Sequence, residues 1–343
     1  MKLRSLLTFA TFTFVSAGYA QETAEAPLQI SGSVDTYFKY DFAKAPNIKT
    51  YFDSENNSVS IGMIDLALKK TTGKASFVGE LSFGPRGQAQ SIVPSSTGES
   101  FHIQNLYVNY AFTDKFSMTA GYMGTFVGYE VISPVANFNY STSYLFGAGP
   151  FQNAGIKGTY SFSDKVSLMV GLFNDWNAYE DFNGVSSVGA QLMVAPVKGW
   201  TAYINVLNGY HSGGGYGSGT IVDLTTTYQV TDNFKLGLNA ADYSASNDNG
   251  GYTGAALYPQ YAFTPAVALG LRAEYFNLKG VAGAADAAVI SGTLSANIKA
   301  GDLTFIPEVR LDNDKDYSQS FVKSNGLPTK SASQFSLAAV YAF

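Results

Sequence analysis

The stretch Gln334-Phe335-Ser336-Leu337-Ala338-Ala339-Val340-Tyr341-Ala342-Phe343 decides the fold of this chain. Phe335, Leu337, Ala339, Tyr341 and Phe343 fall on one face of an extended strand, and Ser336, Ala338, Val340 and Ala342 on the other. Its closing Tyr-x-Phe recurs as Tyr110-Ala111-Phe112, Tyr160-Ser161-Phe162 and Tyr261-Ala262-Phe263, and more weakly as Tyr228-Gln229-Val230. Each copy precedes a short turn, such as Thr113-Asp114-Lys115, after which an alternating run resumes. The repeated unit is therefore strand, tight turn, strand, with rings gathered at one rim. A sheet with an aromatic girdle at the rim where its last residue lies is the pattern of a transmembrane β-barrel.

Working outward, period-two segments can be placed at 28–40, 58–70, 75–84, 101–112, 116–124, 152–162, 166–174 and 185–195. They continue at 199–208, 220–230, 233–243, 253–263, 266–276, 288–300, 302–311 and 334–343. This predicts an all-β, antiparallel transmembrane barrel of about sixteen strands, the even number of a bacterial single-chain barrel. Linkers alternate between short and long, which matches periplasmic turns at one rim and external loops at the other. The opposing reading, a soluble β-sandwich, would need a second sheet to cover the apolar face.

Composition agrees with a barrel. Charged residues make up 14% of the chain, against about a quarter in ordinary soluble domains. After the first twenty residues no apolar run reaches the roughly 20 residues that a membrane helix needs. In hydrocarbon an unpaired backbone group costs several kcal/mol, so a spanning sheet can have no free edge.

Residues 1–20 read as a signal peptide. Lys2 and Arg4 form a basic start, Leu6 to Val15 an apolar core, and Ser16-Ala17-Gly18-Tyr19-Ala20 a cleavage site. Residues 21–27 then form a short periplasmic segment, and 28–343 the barrel. Losing the leader takes two positive charges and moves the formal net charge from −5 to −7. That acidity argues against a nucleic-acid partner. With no cysteine there is no disulfide framework and no thiolate metal site, and the sequence calls for no cofactor and no metal.

The pleat sorts the charges. In 302–311, Leu303, Phe305, Pro307, Val309 and Leu311 point outward, and Thr304, Glu308 and Arg310 inward. In 266–276, Val267, Leu269, Leu271 and Tyr275 point outward, with Arg272 and Glu274 inward. The first strand turns Asp35 and Lys39 to the lumen. An Arg or Lys facing lipid at mid-membrane would cost about 2–4 kcal/mol, so the sorting has a physical cause. The expected pore-lining residues are Asp35, Lys39, Asp65, Lys69, Glu80, Arg272, Glu274, Glu308 and Arg310, joined by Lys157, Asp223, Lys235 and Lys299. They either set a field across a narrow passage or pair with one another across strands. Trp200 and Trp176 are expected at the membrane interfaces.

The loop Thr125 to Phe151 is the most individual segment. It is too apolar to hang in water, so it must pack against something. Either it folds into the lumen, with Tyr129, Glu130, Tyr140 and Tyr144 at a constriction, or it caps the outer rim. Two weaker motifs read as loops. Asp312-Asn313-Asp314-Lys315-Asp316 lacks the Gly and Glu of a calcium loop, and Gly213-Gly214-Gly215-Tyr216-Gly217 is no phosphate cradle. His102 and His211 are the only histidines. His102 shares a face with Leu106 and Val108 and reads as an interface residue, so an enzyme is not expected.

The run Gly121–Gly124, Gly128-Tyr129-Glu130, Pro134, Asn137, Tyr140-Ser141 and Gly149-Pro150 resembles the matching region of the OmpL-like outer-membrane β-barrel porins. The hairpins and terminal strand are similar too. The resemblance implies an outer-membrane channel with no catalytic residues to carry over. The last strand also resembles the signal read by the barrel-assembly machinery. The expected partners are outer-membrane lipid, that machinery and small hydrophilic solutes. A homo-oligomer fits a chain of this size, although no self-complementary patch is legible. The function expected is passive diffusion of such solutes, and the alternative is a non-conducting barrel used for adhesion or surface binding.

Overall fold

Alternation along the chain becomes a closed ring of strands in the computed structural model, which describes residues 26–48, 51–88, 101–179, 184–211, 217–316 and 319–343. The predicted leader 1–20 lies outside the described residues, as do most of 21–27 and of the glycine-rich loop 213–217, and the side chains of His102 and His211. The strands are β1 (Gln29–Asp41), β2 (Ser58–Thr72), β3 (Ala75–Phe83) and β4 (Phe101–Ala111). Next come β5 (Phe116–Gly124), β6 (Gln152–Ser163), β7 (Val166–Phe173) and β8 (Ser187–Val194). They are followed by β9 (Trp200–His211), β10 (Gly217–Gln229), β11 (Phe234–Ala245) and β12 (Gly251–Thr264). The set ends with β13 (Val267–Lys279), β14 (Ala287–Ala300), β15 (Leu303–Asp314) and β16 (Ser331–Ala342).

Each strand pairs antiparallel with its sequence neighbours, and β16 closes the ring on β1. In that seam Val34 faces Tyr341 and Phe38 faces Leu337. Gly32 and Phe343 exchange both backbone hydrogen bonds at 3.0 Å. The ring therefore has no unpaired edge to desolvate. Several strands outrun the apolar alternation at the long-loop end. β13 continues to Lys279, β15 to Asp314, and β16 begins at Ser331. Above the membrane a strand needs no apolar face, but its backbone groups still gain by pairing.

The outside of the cylinder is apolar. Leu168, Val170, Leu172, Leu271, Leu294 and Val309 are all exposed, and the residues between them are turned inward. At the short-turn rim each Tyr-x-Phe forms an edge-to-face pair: Tyr110 with Phe112 at 4.9 Å, Tyr160 with Phe162 at 5.0 Å, and Tyr261 with Phe263 at 5.0 Å. Trp200 joins this girdle and donates from Nε1 to Thr226 Oγ1 at 2.8 Å. Trp176 does not sit at an interface. It is 1% exposed and packs beside Tyr243 inside the barrel, because the chain after β7 turns inward over the lumen. Leu294→Lys should destabilise the folded barrel by about 2–4 kcal/mol, while Thr227→Lys on the lumen face should change it little. Urea titration in lipid vesicles, read by heat-modifiable gel mobility, checks this pair.

Two bulges re-aim side chains. Between Val34 and Thr36, β1 faces one extra residue of β2, so the Asp35 carboxylate accepts from the Met63 backbone N–H at 2.8 Å. Gln104 is the extra residue of β4 between the pairs Glu80–Asn105 and Leu81–Ile103.

Candidate functional site

The third long connection, between β5 and β6, enters the barrel and crosses it. Thr125 leaves β5 with its backbone N–H bonded to Phe151 O, so the two ends of the loop are clipped together. Phe126 packs beside Phe173 at 5.5 Å between ring centres. Gly128 N–H donates to Asp223 on β10 at 3.0 Å. Tyr129 stacks on Tyr258 of β12 at 4.3 Å, above Gly237, where a Cβ would lie 2.3 Å from the Tyr129 hydroxyl. The chain then reaches β2, where Ser133 donates to Asp65 at 3.2 Å. It turns through a short 3-10 segment at Pro134–Ala136. Phe138 lies over Gly270 of β13, where a Cβ would be 2.3 Å from the ring. The return limb carries one helical turn, Tyr144–Ala148, capped by the Ser143 hydroxyl.

Three arginines hold this loop. Arg86, Arg272 and Arg310 are the only arginines after the leader region, and all are fully buried. Arg272 pairs with Glu130 at 2.8 Å and donates to Ser141 O at 2.6 Å and Thr142 O at 3.2 Å. Arg310 donates to Thr142 O at 2.7 Å and to Asp312 at 2.8 Å. Arg86 donates to Ile132 O at 3.0 Å and lies over the rings of Phe52 and Tyr140. A planar guanidinium with several fixed donors suits carbonyl clamping better than an ammonium does.

The barrel carboxylates face the loop's donors. Glu308 accepts from the backbone N–H groups of Tyr140 at 2.9 Å and Ser141 at 3.2 Å. Glu274 accepts from Tyr144 at 3.1 Å and Leu145 at 2.8 Å. The Tyr140 hydroxyl donates to Asp35 at 2.5 Å, and the Tyr144 hydroxyl to Asp312 at 2.6 Å. Burial pushes both phenols up from their ordinary range, so both stay protonated donors. Glu130 itself accepts from Ser143 N–H at 2.7 Å. A hydrogen bond to a charged group contributes about 1.5–3 kcal/mol net, so a loop held by many of them is fixed in place.

Of the residues expected to line the lumen, Asp35, Lys39, Asp65, Arg272, Glu274, Glu308 and Arg310 are turned inward and buried. Lys69, Glu80, Lys157 and Lys235 are turned inward and half-buried, and Lys299 is exposed near the short-turn rim. Asp223 joins Gly128 with the amides of Asn205 and Asn239. Asp312 is no part of an outer loop, because β15 runs to Asp314 and places Asp312 beside Arg310. The even-numbered series 308, 310, 312 on one strand face carried that signal in the sequence. Arg86 was hidden in the connection after β3, and its rarity was the only clue.

The family described as "Putative beta-barrel porin-2, OmpL-like" matches residues 27–343. No curated protein matches the chain. Among solved structures, the outer membrane channel DcaP of Acinetobacter baumannii is similar with a TM-score of 0.63 at 12% identity, covering 96% of this chain and 100% of that one. An anion-selective porin from Comamonas acidovorans is similar with a TM-score of 0.61 at 12% identity, covering 92% and 99%. OmpF of Salmonella typhi is similar with a TM-score of 0.60 at 12% identity, covering 92% and 97%. At such identities the likeness is one of fold, and it is carried over nearly the full length of each barrel. The family match over the whole barrel establishes kinship: this chain belongs to the OmpL-like family of β-barrel porins.

Proposed function

We propose that this barrel is an outer-membrane porin through which small hydrophilic solutes diffuse passively, with the β5–β6 loop as its constriction. One observation carries the reading. The loop is bonded to β8, β10 and β12–β15 and to β1 and β2, while Glu80 of β3, Tyr107 and Asn109 of β4 and Lys157 of β6 point inward and stay half-exposed. On the loop's deep edge Val131, Val135 and Ala136 are exposed too. The wetted space is therefore bordered by the loop on one side and a polar wall on the other, and its width is set by the loop rather than by strand number. In this reading Tyr129, Glu130, Tyr140 and Tyr144 position the constriction, and the chain performs no chemistry. The leader is removed on export, and the last strand guides insertion into the outer membrane.

Liposome swelling with a graded series of sugars tests the proposal. Uptake should fall steeply with solute size. Correctly folded barrels that admit none of the sugars and show no steps in planar bilayers would overturn it, and would favour a surface-binding role instead.

A further inference from the structure

The wetted wall residues stop below a closed ring. Glu80, Tyr107, Asn109 and Lys157 are half-exposed and face the short-turn half of the lumen. Above them, at the level of the β5–β6 loop, each of the sixteen strands carries an inward residue no more than 6% exposed. Strand register ties these residues to one level: Asp65 stands beside Ser82, Met123 beside Asn153, and Phe173 beside Ser187. Among the described residues the lumen is therefore a vestibule open to the short-turn rim and shut at the loop.

The ring is held unequally. On β1, β10, β13 and β15 the loop meets a charged wall group, as at Asp35, Asp223, Arg272 and Glu308. The bonds at β4 to β9 are neutral. Gln104 donates to Ser82 at 2.7 Å, Gln152 to Gln104 at 3.1 Å, and Gln191 to Phe126 O at 3.2 Å. Hydrogen bonds to charged groups are about twice as strong as neutral ones. In the neutral sector Asn153 is fully buried, and neither atom of its amide has a hydrogen-bond partner among the described residues; nor has Gln152 Oε1 or Ser187 Oγ. Such atoms lose free energy in a dry seal and regain it in water, so opening costs least in this sector.

One short segment covers it. Residues 174–179, after β7, are fastened by Asn177, whose side-chain oxygen accepts from the backbone N–H groups of Phe151 at 2.8 Å and Gln152 at 3.0 Å. The Asn177 N–H donates to Gln152 O at 3.1 Å. Asn177 has φ 62°, a left-handed conformation that asparagine adopts more readily than most residues. Next to it, Trp176 packs beside Tyr243 of β11 at 5.2 Å. We infer that the channel is gated, with residues 174–179 as its lid and Asn177 as the latch. The gate rests on the porin reading above and adds its regulation. Solute passes when the lid swings out and Asn153 and Ser187 meet water, while the charged anchors keep the β5–β6 loop seated.

The test is single-channel recording of the refolded, full-length barrel in planar bilayers. The wild type should be shut most of the time and open in brief steps of one height. Asn177→Gly keeps the left-handed backbone and removes the acceptor. It should raise the open-to-shut ratio about 5- to 30-fold, the effect of losing one or two net hydrogen bonds. Step height should stay the same, which separates a latch from a constriction. Asn177→Asp should keep the wild-type ratio, because a carboxylate accepts from the same two N–H groups. Trp176→Ala should also raise the ratio, and it reads the same lid if Asn177→Gly inserts poorly. A wild type that stays open in long, steady steps overturns this inference and leaves the porin reading intact. A ratio unchanged in both Asn177→Gly and Trp176→Ala overturns it too. Silence from folded wild-type barrels overturns the porin reading, and the gate with it.

Discussion

Deleting residues 130–147 will raise single-channel conductance severalfold. Those residues carry Glu130, the deep turn at Pro134–Ala136 and all but the last residue of the helical turn Tyr144–Ala148, so their loss removes most of the material that crosses the lumen. A sixteen-strand cylinder without its inner loop has the bore of an open porin, and conductance follows its cross-section. The barrel should survive, because its closure depends on the backbone ladder from β1 round to β16 and not on the loop. The exposed anchors, Arg272, Arg310, Glu274 and Glu308, would pass from buried pairs to hydrated side chains of mixed sign, which water tolerates. Planar-bilayer recording checks the outcome. Unchanged conductance from heat-modifiable, folded protein would show that the loop does not limit the passage.

Arg272→Ala has the second largest expected effect. Its guanidinium reaches Glu130, Ser141, Thr142 and Thr293 together, linking the two limbs of the loop to β13 and β14. Removing one partner of a buried ion pair costs about 3–5 kcal/mol, since the remaining charge stays desolvated. Water entering the lumen will reduce that figure. A loss of even about 3 kcal/mol changes the docked-to-released ratio by a factor of about 150. The loop should therefore leave its seat part of the time, and the current should become noisy, with a mean between those of the wild type and the deletion. Global unfolding should shift less than the loop does. Limited proteolysis at the loop and open-channel noise measure the release directly. Quiet, wild-type currents from Arg272→Ala would place the anchor elsewhere. Joint replacement by Glu130→Gln and Arg272→Met should restore part of the docking, because neither side then leaves an unmatched charge.

Legibility differed between the wall and its contents for a physical reason. The wall is written in period two, so Leu269, Leu271 and Tyr275 against Arg272 and Glu274 could be sorted by parity alone. Parity failed only where a bulge inserted a residue. At Gln104 the extra residue turns two neighbours, Gln104 and Asn105, toward Ser82 and Glu80, which no local pattern announces. Polar extensions such as Asp312 to Asp314 were read as loop because alternation of hydrophobicity stops where lipid stops, although strand pairing does not. Trp176 was placed at an interface on its position after β7, yet a tryptophan close to a strand end can equally turn inward.

What the loop touches was not legible at all. The composition of 125–151 required a surface to bury against, and both the lumen and the outer rim offered one. The choice depends on Arg86, Arg272, Arg310 and six carboxylates drawn from strands far apart in the chain, such as Asp35 and Glu308, which meet only when the ring closes.

By itself the sequence determined a closed antiparallel cylinder, its approximate strand count, its aromatic rim and the inward sorting of charge, because each of these is enforced locally by the pleat and by the cost of bare backbone or buried charge in lipid. Only the tertiary structure decided which inward charges remain in contact with water. That outcome depends on where one loop finds enough donors and acceptors to be held, and those partners come from opposite sides of the barrel.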